Sequence, residues 1–295
     1  MTNPVESVAM DSMAGTTRAE APASSVIDPE IIQHEIHLRR RRVAYRWMLG
    51  ILVPIALLGV WQLADFVGLV DKRFIPPPTQ VFAGMWDGVA DGTLTKAIAK
   101  NGLVSLERLL PGFFGGVVAG LLVGVAMGLF DSVRYGLAPV ISATFPLPKI
   151  AIYPLVIVVF GIGDMSKIVV VAIGAFYMVA INTVSGIIYS NNTYRDVATA
   201  FQVPKRVEYL RIVVPAALPS IMAGIRLGFG SALIVLVGAE FVSAQTGIGY
   251  YIWNAWQILD IDAMFGGLIV IAIFGILGNW ALVAIERKLI PWSRA

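Results

Sequence analysis

Of 295 residues, 57% are hydrophobic and only 14% are charged, with a mean hydropathy of +0.78; a soluble domain carries roughly 25% charged residues, so this chain lacks the polar surface to cover a globule in water. A net charge of +3 spread along the sequence makes no nucleic-acid face. The lack of cysteine excludes disulfides, thiolate nucleophiles and cysteine-held metals, and the two histidines, His34 and His37, both lie in the polar N-terminal stretch. What remains is an all-α, polytopic membrane protein.

A hydrocarbon core of roughly 30 Å takes about 20 apolar residues as a helix. Residues 1–38 are rich in Ser, Thr, Ala, Asp and Glu without apolar periodicity, which predicts a disordered tail rather than a cleaved signal. The first span is predicted over 47–69. After Pro76-Pro77-Pro78, the residues Val81, Phe82, Met85, Trp86 and Val89 recur at helical spacing and predict a short interfacial helix. Span two covers 109–130 and carries Gly116, Gly120, Gly124 and Gly128 at four-residue intervals. Such a stripe lets two helix backbones approach closely. It serves either packing within the bundle or a dimer face, and a bundle of this size needs the first in any case. Gly224 and Gly228 repeat the idea in span five.

Span three, 138–160, is interrupted at Pro146-Leu147-Pro148-Lys149. Spans four, five and six are predicted over 168–189, 212–237 and 265–285. Between five and six, Gly247-Ile248-Gly249-Tyr250-Tyr251-Ile252-Trp253 reads as an interfacial or re-entrant piece, and residues 291–295 as a C-terminal tail. Arg39, Arg40, Arg41, Arg42 and Arg46 just before span one place that end in the cytoplasm. Alternation from there puts 14 of the 22 basic residues on the cytoplasmic side and five outside, so both termini are expected inside.

The stretch 190–211 between spans four and five is cytoplasmic on this topology. Asp196 complements the dipole of a short helix, Pro204 ends it, and a basic piece with Tyr209 and Arg211 leads into span five. A short helix lying flat on the membrane face fits a groove on a soluble partner.

This stretch resembles the cytoplasmic signature of binding-protein-dependent ABC importer permeases, in which Glu-Ala-Ala opens a coupling helix, a glycine follows, and Leu-Pro closes the motif. Asp196 takes the Glu position, Val197 and Ala198 the two Ala positions, and Gln202 the glycine position. Val214-Pro215 and Leu218-Pro219 match the closing part. The family glycine permits a tight bend, so with Gln202 in its place the turn is expected to come through Pro204. Phe74-Ile75-Pro76-Pro77-Pro78, Gly161-Ile162-Gly163-Asp164-Met165-Ser166-Lys167, Val237-Gly238-Ala239-Glu240-Phe241 and Thr246-Gly247-Ile248-Gly249-Tyr250 extend the likeness over residues 47–290. They point to the nitrate, sulfonate, taurine and bicarbonate permease subgroup.

The resemblance implies a type I importer bundle of six spans in the plasma membrane, working as a homodimer. Two ABC ATPase subunits would bind at the coupling segment formed by Asp196, Val197, Ala198, Ala200, Phe201, Gln202, Val203, Pro204, Tyr209 and Arg211. An extracytoplasmic binding protein would deliver the solute. The chain itself would bind no cofactor and hydrolyse nothing, with ATP and Mg on the ATPase. Consistently, Gly163-Asp164-Met165-Ser166-Lys167 has the residues of a phosphate loop in the wrong order.

Charged residues at membrane depth are costly and face a protein interior or an aqueous cavity. Lys149 beside Pro148, Arg226 midway along span five and Glu240 just past its outer end are therefore candidates for a translocation pathway or gate, or for pairing between helices. Glu107 and Arg108 read as structural. A secondary transporter would show inverted repeats or mid-membrane acidic relays, and a membrane enzyme a cluster of His, Asp or Glu on the spans. A channel would leave the cytoplasmic motif unexplained.

Overall fold

In the computed structural model the described residues are 29–71, 74–189 and 198–294. The chain divides into two compact units, Met1–Leu63 and Ala64–Ala295. Helix α1, Pro29–Phe66, carries the first apolar span, Met48–Phe66. It begins inside the stretch expected to be disordered, so residues 29–38 are helical. Pro29 suits a first helical turn, and the Glu, Gln, Leu and Arg residues after it propagate a helix well. The rest of the predicted tail, 1–28, lies outside the described residues.

The second unit opens with α2, Pro78–Ala90, the short helix predicted after the proline stop. Val81 is buried while Phe82, Trp86 and Val89 stay exposed. Gly92, at φ 76°, turns the chain into α3, Thr93–Leu129. The carboxylate of Asp91 accepts from the Thr93 amide at 2.9 Å and from its hydroxyl at 2.7 Å, satisfying donors that the new helix leaves free. Span two is therefore the second half of a 37-residue helix. Its first half, residues 93–108, is too polar to read as an apolar run.

Span three is two pieces. Helix α4, Asp131–Thr144, and the run Lys149–Phe160, which holds a tight turn and helix α5 (Tyr153–Phe160), meet at 103°. Pro146 and Pro148 offer no N–H, which breaks the ladder at this point, although Phe145 itself keeps helical angles (φ −57°, ψ −44°). After Gly161 (φ 79°), α6 runs from Asp164 to Ile188. A single turn, Lys205–Glu208, and a widened π-helical turn, Tyr209–Val213, lead into α7, Val214–Ser243. Pro215 brings no N–H to the carbonyl of Arg211, and the widened turn lies over that residue. Helices α8, Ile248–Gln257, and α9, Ile261–Leu289, complete the unit. Among the described residues five helices are long and apolar enough to cross a membrane, or six with the bent pair taken as one span.

The core is a sandwich with α6 in the middle. On its α3 side the glycine stripe meets α6 backbone to backbone. A Cβ at Gly120 would lie 2.8 Å from that of Val179, at Gly124 2.6 Å from that of Thr183, and at Gly128 2.7 Å from that of Ile187. At Gly116 it would lie 2.8 Å from the Ala175 Cβ. All four contacts lie within this chain, which settles the stripe as bundle packing. On the other side, Gly224 of α7 packs on Asn182 and Met178, and Gly228 on Ala175 and Val179. Leu109, Phe113, Val171, Val179, Phe229 and Leu236 fill the remaining volume.

Candidate translocation site

The bend in span three builds the site. With two prolines in four residues, the carbonyls just past the end of α4 lose their helical donors, and at membrane depth something else must supply them. Lys149 does so: its ammonium donates to Leu147 O at 2.8 Å and to Phe145 O. The same ammonium lies 4.5 Å from the ring centre of Tyr177 and 5.2 Å from that of Phe145, so two aromatic faces share its charge. Tyr177 is held in turn through its hydroxyl, which donates to Thr144 Oγ1 at 2.9 Å.

Pro148, Lys149, Phe145, Tyr177 and the α7 residues Arg226, Leu227, Gly230, Ser231 and Ile234 line a cavity of about 760 Å³. Three of the four expected pathway residues thus meet in one place. Arg226 is not free there: it pairs with Glu286 of α9, sixty residues on, a partner that no local spacing announces. Ser231 donates to Gly174 O at 3.0 Å, so its hydroxyl proton is used within the bundle.

Glu240 is elsewhere. Helix α7 runs on past it to Ser243, and its carboxylate is only 1% exposed. Arg108 Nη1 donates to it at 2.8 Å, Ser105 Oγ at 2.9 Å, and the Gly249 amide at 2.8 Å. The Ile248 amide donates to Ser105 Oγ at 2.8 Å and the Gly247 amide to Asn101 Oδ1 at 3.0 Å. Glu240 therefore sits against the first turn of α8, where amides point outward and a negative charge is favoured. Any Cβ at Gly247 or Gly249 would collide with that carboxylate or its stem. The motifs around Glu240 and Gly247-Ile248-Gly249 are two halves of one clasp. Arg108 also donates to Thr246 O at 2.6 Å and, through Nε, to Asp164 at 2.7 Å, so it joins α3, α6, α7 and the start of α8. Glu107 faces outward from the same helix.

Of the expected coupling segment, Asp196 and Val197 lie outside the described residues. Ala198 is buried, while Ala200 and Arg211 are exposed and Phe201 is 80% exposed. Gln202 takes the left-handed conformation itself, at φ 51°. Its amide donates to Thr199 O at 3.0 Å, and that of Val203 to Ala198 O at 2.9 Å. This is the reversal a glycine makes at a helix end. The turn comes from Gln202 and not from Pro204, correcting the expectation from sequence; Pro204 instead opens the next turn, Lys205–Glu208. Tyr209 begins the π-helical turn. Among the described residues no group of three or more His, Asp or Glu side chains is placed to hold a metal ion.

Residues 116–291 match the family of the binding-protein-dependent transport system inner membrane component. The chain belongs to this family. It is 33% identical to the taurine transport system permease protein TauC of Escherichia coli (strain K12), over 89% of this chain and 97% of that protein. It is 32% identical to the nitrate import permease protein NrtB of Synechococcus elongatus, over 68% of this chain and 73% of that protein. The fold matches a solved structure titled as an inward facing conformation of the MetNI methionine ABC transporter, with a TM-score of 0.58 and 18% identity. That match covers 67% of this chain and 98% of the other. This family member is a multi-pass inner-membrane permease of the ABC importer class, a transport subunit rather than an enzyme.

Proposed function

We propose that the chain forms the pathway of an ATP-driven importer for a small solute with an anionic group, such as a sulfonate or nitrate, of the kind its taurine and nitrate relatives are named for. The observation that carries this reading is the cavity of about 760 Å³ beside the broken span, with Lys149 on its wall. A second copy of the chain closes the open side of the cavity, where the lining residues Leu227 and Ile234 are exposed. A binding protein delivers the solute from outside, both termini lie in the cytoplasm, and the partner ATPase subunits hold ATP and Mg.

Residues 196–204 pass the ATPase motion to the bundle, with Phe201 as the apolar knob seated in the partner. The π-helical turn Tyr209–Val213 carries it directly into α7, which lines the cavity. Co-purification tests this reading. With the tagged chain and its ATPase co-expressed, Phe201→Glu should release the ATPase while the permease elutes unchanged on size exclusion. Full retention of the ATPase would remove Phe201 from the contact.

A further inference from the structure

The step from the coupling segment into the bundle can be followed along one face of one rod. Tyr209, Val213, Ala217, Ile221 and Ile225 recur at strict four-residue steps, and all five pack in the apolar cluster that holds Ile187 of α6. An α-helix turns about 100° per residue, so a four-residue step drifts by about 40°. Over four such steps Tyr209 would stand about 160° from Ile225, on the other side of the rod. The π-helical turn Tyr209–Val213 removes this conflict. It takes one residue more to go round once, which takes back about 100° and leaves Tyr209 about 60° from Ile225, on the same face.

The cause lies two residues beyond the turn. On an α-helical course the ring of Pro215 would press on the Arg211 carbonyl and bring it no N–H. The wider turn avoids that: the Val214 amide donates to Tyr209 O, five residues back, and α7 runs on to Ser243. What lies upstream depends on the angle so set. Glu208, just before the wide turn, is buried and holds Lys205 at 2.9 Å. Ala198, beyond the Gln202 reversal, is buried too. The same residues wound as a plain α-helix would present this segment about 100° farther round the axis and about 1.5 Å farther along it.

We propose that Pro215 is a positioning residue for coupling. It holds the wide turn, and so fixes the angle at which residues 198–204 meet the ATPase while Arg226, Leu227 and Ile234 of α7 face the cavity. This role rests on the coupling reading above and adds the residue that sets its geometry.

The test uses the complete permease–ATPase complex in nanodiscs. The chain has no cysteine, so Ile234→Cys puts a single thiol of the permease on the cavity wall. Its maleimide labelling rate, with and without ATP and vanadate, reports the response of α7. Pro215→Ala in that chain restores the missing N–H, lets the turn close to an α-helix, and should abolish the ATP-dependent change in labelling. Deleting Leu210, an exposed residue of the wide turn, from the Pro215→Ala chain takes out the surplus residue. The rod is then α-helical with both flanks in their present register, and the ATP response should return. A residue that only stabilised the fold would gain nothing from the deletion. An unchanged response in Pro215→Ala, or a loss that the deletion does not restore, overturns the proposal. If the Ile234→Cys complex with Pro215 in place ignores ATP, the coupling reading falls and this proposal with it; if it responds and Pro215→Ala responds equally, only the role of Pro215 falls.

Discussion

The guanidinium of Arg108 and the carboxylate of Glu240 meet at 2.8 Å with both side chains almost wholly buried. A buried pair of this kind gains little over an apolar replacement, but losing one partner strands the other charge, at about 3–5 kcal/mol. Glu240→Ala should therefore lower the unfolding temperature in detergent sharply, and the double variant Arg108→Met, Glu240→Leu should recover a good part of the loss. If the double variant is no better than the single one, the stranded charge is not the cause.

The glycine stripe makes an internally controlled comparison. Gly124→Ala places a methyl 2.6 Å from the Thr183 Cβ, whereas Gly115→Ala meets nothing within 4 Å. The first should destabilise by about 1–3 kcal/mol through overpacking. The second should be neutral or stabilise by up to about 1 kcal/mol, since alanine favours a helix over glycine. Thermal scans of the two variants side by side check this, and equal midpoints would mean that α3 and α6 lie farther apart than described.

Gln202 carries a positive φ that glycine adopts without strain. Gln202→Gly should stabilise the turn by up to about 1 kcal/mol and keep the ATPase bound, while Gln202→Val, branched at Cβ, should weaken both. Hydrogen exchange at the Val203 amide reports the turn, because that amide bonds to Ala198 O. Slower exchange in Gln202→Val than in the parent would contradict the assignment.

Asp91 lies outside the spans, and its two hydrogen bonds from Thr93 hold its carboxyl below the ordinary aspartate range. A depressed folded-state value means that its contribution is complete above the ordinary value and is lost as the pH falls through the lowered one. The Thr93 amide at the start of α3 should thus lose protection, relative to its intrinsic exchange rate, at acid pH. Asp91→Asn should remove that pH dependence, and an unchanged profile would place it on another group.

Much of this architecture was legible as apolar length, because lipid leaves a helix few ways to hide. Span four starts four residues earlier and stops one residue sooner than expected, and span six gains four residues at each end, since both are simple apolar runs with polar stops. Lys149 and Arg226 were findable as charges at depth. What escaped was contact between distant segments: Glu286 under Arg226, and Asp164 beside Arg108. Spacing along a sequence carries no register between helices 56 or 60 residues apart. The polar half of α3 escaped for a different reason. Residues 93–108 mix Thr, Lys, Asn, Ser, Glu and Arg with apolar side chains and so offer no hydrophobic run.

The bend at Pro146–Lys149 also means that this span cannot cross a membrane as one straight rod. Helix α5 has eight residues and so reaches about 12 Å, well short of a roughly 30 Å hydrocarbon core. Neither α5 nor the 14-residue α4 reaches across such a core alone, so the two have to share it across the break. The α3–α6 pair is the opposite case, two long continuous rods held at backbone distance by glycine.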